Sequence, residues 1–288
     1  MAGNVLNEKL VRSYLFAEVN TICRDSGWTR NQFARVMRKS SNTVRAWLDQ
    51  ERLPDLGNLL LICERGGVDE ARKRFILHVR EQLHTGQELV SDLDKRSLYI
   101  VESGERTYPH HTKWDPLLFP ALVQTEAVHM KVLADPMDDP ADKIKHWLRK
   151  ERRAETFFAR FSGDDHPTAE IFVPSGAIAD LGLLTAKERA AQIDRLLWAD
   201  SLPGCEVFVV QPPHLATYAF DSFSSNDLPD SGPNFVYVEH LDQSRHVVDE
   251  AKLALYDQAR SFLRTRAQGI GRFLDGGAHR LAEEHSKQ

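Results

Sequence analysis

The sequence predicts a multi-domain chain: an all-α N-terminal region of four to five short helices, then a larger α+β region with a small sheet and a long C-terminal helix. Three observations predict it. Between residues 9 and 84 the apolar residues fall at three- and four-residue spacings, the period of helices with one buried face. Runs rich in Val, Ile, Phe and Tyr, bounded by turn residues, follow residue 161. From Ser244 a helical period returns and is kept for about thirty residues to the C-terminal end.

In the first region Leu15, Val19 and Ile22 mark a helix ending near Gly27. Thr29 is placed to cap a second helix, with Phe33 and Met37 four apart on its inner face. Ser40 caps a third, which buries Val44 and Trp47 and turns Ser41, Asn42, Thr43 and Arg45 outward. Residues 29–48 hold five basic side chains and no acid, so this helix pair reads as a helix-turn-helix. Pro54 precedes a helix with Leu56, Leu59, Leu60 and Cys63 inward and a stop at Gly66-Gly67. A helix at 69–84 (Phe75, Ile76, Val79, Leu83) closes the domain, which spans 1–84. A polar, Gly-containing linker, 85–97, joins it to a second domain, 98–288.

In that second domain Tyr99–Glu105 reads as helical and Tyr108–His111 as a loop. Two prolines punctuate an apolar run at 114–133 that passes into a helix, and residues 136–140 break the chain. Residues 141–161 predict a long amphipathic helix with Ile144, Trp147, Leu148, Phe157, Phe158 and Phe161 inward. Strands are expected at 170–174, 206–211, 219–223 and 235–240, with a helix at 185–200. The final helix would face inward with Val248, Leu253, Leu255, Phe262 and Leu263.

Composition bounds function. The 288 residues are 42% hydrophobic and 27% charged, those of a soluble globular protein. No apolar run approaches a membrane span, the N-terminus lacks a signal peptide, and Cys23, Cys63 and Cys205 suit reduced core thiols in a cytoplasmic protein. The net charge of −5 divides into +4 for residues 1–84 and −9 for the rest, so the basic part is the one suited to DNA. Nucleophile-elbow, phosphate-loop, dinucleotide and zinc-protease motifs are missing, so no enzyme and no cofactor are expected. His240, Asp242 and His246 follow a strand, but their spacing matches no zinc arrangement, and no metal is assigned.

Small polar residues and an arginine at the start of a second helix suit base edges in the major groove. Ser41, Asn42, Thr43 and Arg45 are therefore the expected base contacts, and Arg30, Arg38, Lys39 and Arg52 the expected backbone contacts. One such domain reads few base pairs, which implies a homodimer on half-sites about 34 Å apart. The order, spacing and buried positions of residues 9–67 resemble the XRE family of phage-repressor-like DNA-binding domains. Leu48 and Gln50 stand where that family usually has Glu and Gly, and the Gly would ease a left-handed exit from the helix.

A second resemblance spans roughly residues 98–275. LFPALVQTEAVHM resembles the Pro-Gly-Leu-Leu-Gln-Thr-x-x-Tyr-Ala signature of a domain found behind XRE heads in actinobacterial, antitoxin-like regulators. Pro120, Leu122, Gln124 and Thr125 match, while Ala121 and Val128-His129 depart. Arg149 and Arg152 match an Arg-x-x-Arg pair, and Glu239 ends a matching Tyr-x-Glu strand. The resemblance implies a small partner protein. Pro120, Gln124 and Thr125 are then either a partner or effector surface or simply a helix entry. The seven basic residues from Lys143 to Arg160 read as a solvated helix face in preference to a second nucleic-acid surface. The expected function is a sequence-specific transcriptional regulator. The alternative is an antitoxin-like module that neutralises a small protein, with DNA binding serving autoregulation. A third reading has Trp114, Trp147, Phe172 and Trp198 line an effector pocket.

Overall fold

The computed structural model describes residues 7–85, 98–133, 139–164, 166–214, 216–225, 232–239 and 244–276. They form two compact units that do not follow chain order. One comprises residues 1–107 and 224–249, the other 108–223 and 250–288.

The first unit is chiefly helical: α1 (Glu8–Asp25), α2 (Arg30–Met37), α3 (Ser41–Leu48), α4 (Leu56–Arg65), α5 (Glu70–Thr85) and α6 (Tyr99–Thr107). Side chains set the starts. The Asn7 carboxamide accepts from the N–H groups of Lys9 and Leu10, Thr29 and Gln32 form a reciprocal capping box, and Asp55 accepts from Asn58. Gly27, at φ +65°, carries the chain out of α1 through the left-handed region. The core gathers Leu15, Val19, Phe33, Val44, Trp47, Ile62, Cys63, Ile76 and Val79. Leu56, expected inside, is 41% exposed, and Ile62 holds the inner face of α4 with Leu59 and Cys63. Glu18 on α1 is also fully buried. Arg72 of α5 and Arg106 of α6 each donate to its carboxylate, Arg106 at 2.7 Å.

The second unit is α+β. Its strands are β1 (His110–Trp114), β2 (Thr168–Pro174), β3 (Cys205–Val210) and β4 (Phe220–Ser224), the last ending at the unit's boundary. Between β1 and β2 lie a 3-10 turn (Ala121–Val123), α7 (Glu126–Val128), a π-turn (His129–Leu133) and α8 (Pro140–Ala159). Between β2 and β3 come α9 (Ser175–Ala179) and α10 (Ala186–Asp200), the latter opened by a Thr185/Glu188 capping box. After β4 the chain returns to the first unit as an antiparallel pair, β5 (Phe235–Glu239) and β6 (Ser244–Val247). It then closes the second unit with α11 (Glu250–Arg266) and β7 (Ala267–Gly269). In the second unit β1 and β3 flank β2 in parallel, β4 borders β1, and β7 adds antiparallel to β3. Parallel strands need covering on both faces, and Ile171, Phe172, Val173, Val207 and Val209 are wholly buried. Phe157, Phe158 and Phe161 of α8 and its end pack with Leu196 of α10 against one side.

Several expectations are corrected. Seven strands are present among the described residues, more than a small sheet. The expected loop Tyr108–His111 is shortened to Tyr108 and Pro109, because His110 begins β1. Among the described residues the expected long C-terminal helix is not clearly shown: Ser244–Val247 pair as a strand, α11 has 17 residues, and β7 interrupts the helical path before residues 270–276. Gly269 ends β7 and Gly271 follows in the helical turn after it, and glycine weakens a helix interior by about 1 kcal/mol. On α8, Ile144 and Leu148 are 51% and 48% exposed, so its first half does not face a core. Leu255 is likewise exposed. Most of the expected linker, the 136–138 part of the expected break, and His240 and Asp242 lie outside the described residues. No described helix is long and apolar enough to cross a membrane.

Candidate nucleic-acid interface and a cavity in the second unit

Residues 38–40 make the turn between α2 and α3. Arg38 takes a left-handed conformation (φ 51°, ψ 44°), and the Lys39 N–H donates back to the Ala34 carbonyl at 2.9 Å. Ser40 then caps α3, its Oγ accepting from the Thr43 N–H at 3.1 Å and lying 2.9 Å from Thr43 Oγ1. Val44 and Trp47 anchor α3, with the Trp47 ring 6.2 Å from Phe33, itself stacked on Trp28. The anchored face fixes what is left outside. Ser41, Asn42 and Arg45 are exposed, while Thr43 is half-buried and shares its hydroxyl with the cap. Arg30, Arg38, Lys39 and Arg52 are all exposed.

Two acids that sequence reasoning did not single out sit among these cations. Arg45 lies 3.0 Å from Glu51 and 3.9 Å from Asp49, and Arg30 lies 2.8 Å from Asp49. Asp49-Gln50-Glu51 directly follows α3, so the acids stand in plain sequence view, but not which cations they meet. Gln50 itself holds φ +61°, the left-handed exit for which a glycine is suited.

In the second unit a cavity of about 270 Å³ is lined by Gln124, Thr125, Trp147, Lys150, Glu155 and Arg195, among others. Pro120 is buried at the entry to the 3-10 turn. Gln124 donates to the Phe119 carbonyl and accepts from Lys150 Nζ at 2.8 Å, and that ammonium also lies 3.1 Å from His129 Nδ1. Burial, with Lys150 nearby, lowers the His129 pKa, a shift toward the neutral ring. The Thr125 N–H donates to buried Gln192, whereas Thr125 Oγ1 is buried without a partner among the described residues. Arg195 donates to the Leu122 carbonyl and stacks 4.3 Å over the Trp198 ring. Burial pulls its pKa down, with Glu155 opposing. The site thus joins an orphaned hydroxyl to two held cations, with Trp147 beside them.

Gln124 and Thr125, open between a partner surface and a helix entry on sequence, both line the cavity, and its Lys150 and Arg195 were not singled out. Lys150 fell inside the basic run read as a solvated face. Arg149 and Arg152 do not line the cavity; Arg152 is exposed, its Nε 3.3 Å from the Leu148 carbonyl. Glu239 is exposed at the end of β5 in the first unit. Trp114 and Phe172 are core residues.

Residues 101–269 match a family described as a domain of unknown function, DUF5753. No curated protein and no solved structure matches the chain.

Proposed function

Because the chain belongs to the DUF5753 family, whose description assigns no activity, we propose its function from its own residues: a sequence-specific DNA-binding regulator that acts as a homodimer. One observation carries this reading. A doubly capped helix pair presents Ser41, Asn42 and Arg45 on an exposed helix start within a basic surface, the chemistry that reads base edges in a major groove. Arg30, Arg38, Lys39 and Arg52 would hold phosphates and set register. The second unit would take an effector or partner, with the Gln124–Thr125–Arg195 cavity as its seat. No catalytic step belongs to this reading.

The test is binding of the full chain to its own upstream DNA and to a scrambled duplex at two salt concentrations. A large preference for the upstream duplex that survives the higher salt is expected. Equal binding to both duplexes, lost with salt, would reduce the surface to non-specific phosphate attraction.

A second reading, an antitoxin-like module that silences a small protein, is favoured by Ile144 and Leu148. They lie four apart on α8, about half exposed, on a helix whose other half is packed. Co-purification of a stoichiometric partner that Leu148→Asp releases would support it. A chain that purifies alone from its native source would count against it.

A further inference from the structure

We propose that Arg12, Arg52 and Arg80, with His84, form a seat for a phosphate group on the first unit. These side chains, with Leu53 and Leu83 behind them, line a cavity of about 290 Å³. Three guanidinium groups around one small hollow repel one another unless an anion joins them. Their charge is little offset by the protein. The Arg52 side chain makes no hydrogen bond or ion pair with any described residue. Among the described residues Arg12 has one charged contact, a loose one with Glu8, 3.9 Å away within its own helix. Arg80 donates Nε to the Pro54 carbonyl at 2.9 Å, a neutral acceptor. The nearby acid, Asp55, is committed to Asn58, accepting from its N–H at 2.8 Å and its side-chain amide at 2.7 Å.

That arrangement selects the ligand class. The Pro54 bond holds the Arg80 guanidinium through Nε alone, and the side chain lines the hollow with the rest of its planar fork uncommitted to any described residue. Such forks suit bidentate pairing with phosphate or carboxylate. A carboxylate brings one charge and two oxygens, too few for three guanidiniums. A phosphate group brings up to two charges and three acceptor oxygens. The three arginines come from α1, the segment after α3, and α5, so the seat exists only in the folded unit. Its source is either a DNA backbone phosphate, which rests on the regulator reading above, or a free phosphorylated compound, which does not.

Two measurements on the full chain separate these. In the first, inorganic phosphate is titrated and the arginine Nε signals followed by nuclear magnetic resonance, with chloride at equal ionic strength as control. Saturable shifts at Arg12, Arg52 and Arg80 are expected, weakened about tenfold or more in R52Q and R80Q, since a hydrogen bond to a charged group contributes roughly 1.5–3 kcal/mol. Should R80Q not fold, R80K keeps the charge without the fork and is expected to weaken phosphate as well. The second is the salt dependence of duplex binding, whose slope falls by about one unit in R52Q if the seated phosphate is DNA's. Saturable phosphate binding with an unchanged slope assigns the seat to a free phosphorylated compound. Loss of all duplex affinity in the wild type sinks the regulator reading alone. The absence of a saturable phosphate response, whatever the slope, overturns the seat and leaves only diffuse surface charge.

Discussion

Arg45 leaves α3 toward solvent and meets Glu51 and Asp49 before it can meet anything else. Exposed pairs of this kind contribute roughly 0.2–1 kcal/mol, so under the proposed regulator reading they would set a modest toll on DNA binding, not a lock. E51Q is expected to tighten binding to every duplex by at most about 1 kcal/mol. R45A should cost on the order of 1–3 kcal/mol on the specific site and less on random DNA. A gel-shift titration on both duplexes reads both effects, and equal losses in R45A would remove its base-reading role. Gln50 is the neighbouring case. A side chain at φ +61° costs roughly 1–2 kcal/mol, part of which a glycine gives back through its freer unfolded state. Q50G is expected to raise the unfolding free energy by about 0.5–1 kcal/mol in urea titrations. The sequence marked the position of this exit but not its geometry, because Gln50 stands where the resembled family usually has the glycine that favours a left-handed turn. The Asp49 and Glu51 pairs were not legible, because periodicity says which residues face out and nothing about which exposed charges meet.

At the scale of elements, caps were the most readable signals. Thr29 and Ser40 start their helices where side-chain oxygens can satisfy free N–H groups. Strand β1 was hidden for the opposite reason. Its sequence, His-His-Thr-Lys-Trp, shows no apolar alternation, yet four of its five residues are buried. Lys113 is accommodated by Asp221 at 3.0 Å and by the rings of Phe157 and Phe223. These partners lie 44 or more positions along the chain, beyond the reach of local pattern. Strands β6 and β7 were missed because segments of four and three residues carry too few periods to tell strand from helix. The same distance effect governs Glu18, whose guanidinium partners are 54 and 88 residues away. E18A would leave two buried arginines without their anion, and a loss of about 3–5 kcal/mol is expected from urea unfolding. A loss below 1 kcal/mol would mean the site takes up water easily.

For the whole molecule, stability should depend on pH through His246. Both its ring nitrogens are buried without a partner among the described residues, beside Phe235 and Tyr237. Burial drops its pKa from 6.5 to about 3. The unfolded chain therefore binds a proton that the folded chain refuses. This contribution is fully present above about pH 6.5 and is lost as pH falls toward 3, by at most about 1.4 kcal/mol per unit. Urea midpoints measured between pH 7 and 5 should fall for the wild type and fall less for H246F, whose ring suits the aromatic surroundings. Identical slopes would place the acid sensitivity elsewhere. The path of the chain between the two units has a different consequence. It passes from the first unit to the second after Thr107, returns at Ser224, and leaves again after Asp249. No single exchange of coding sequence can therefore transplant the helical unit intact, since a graft ending at Thr107 abandons the β5–β6 pair. A chimera built to keep that grouping must carry residues 224–249 along with 1–107.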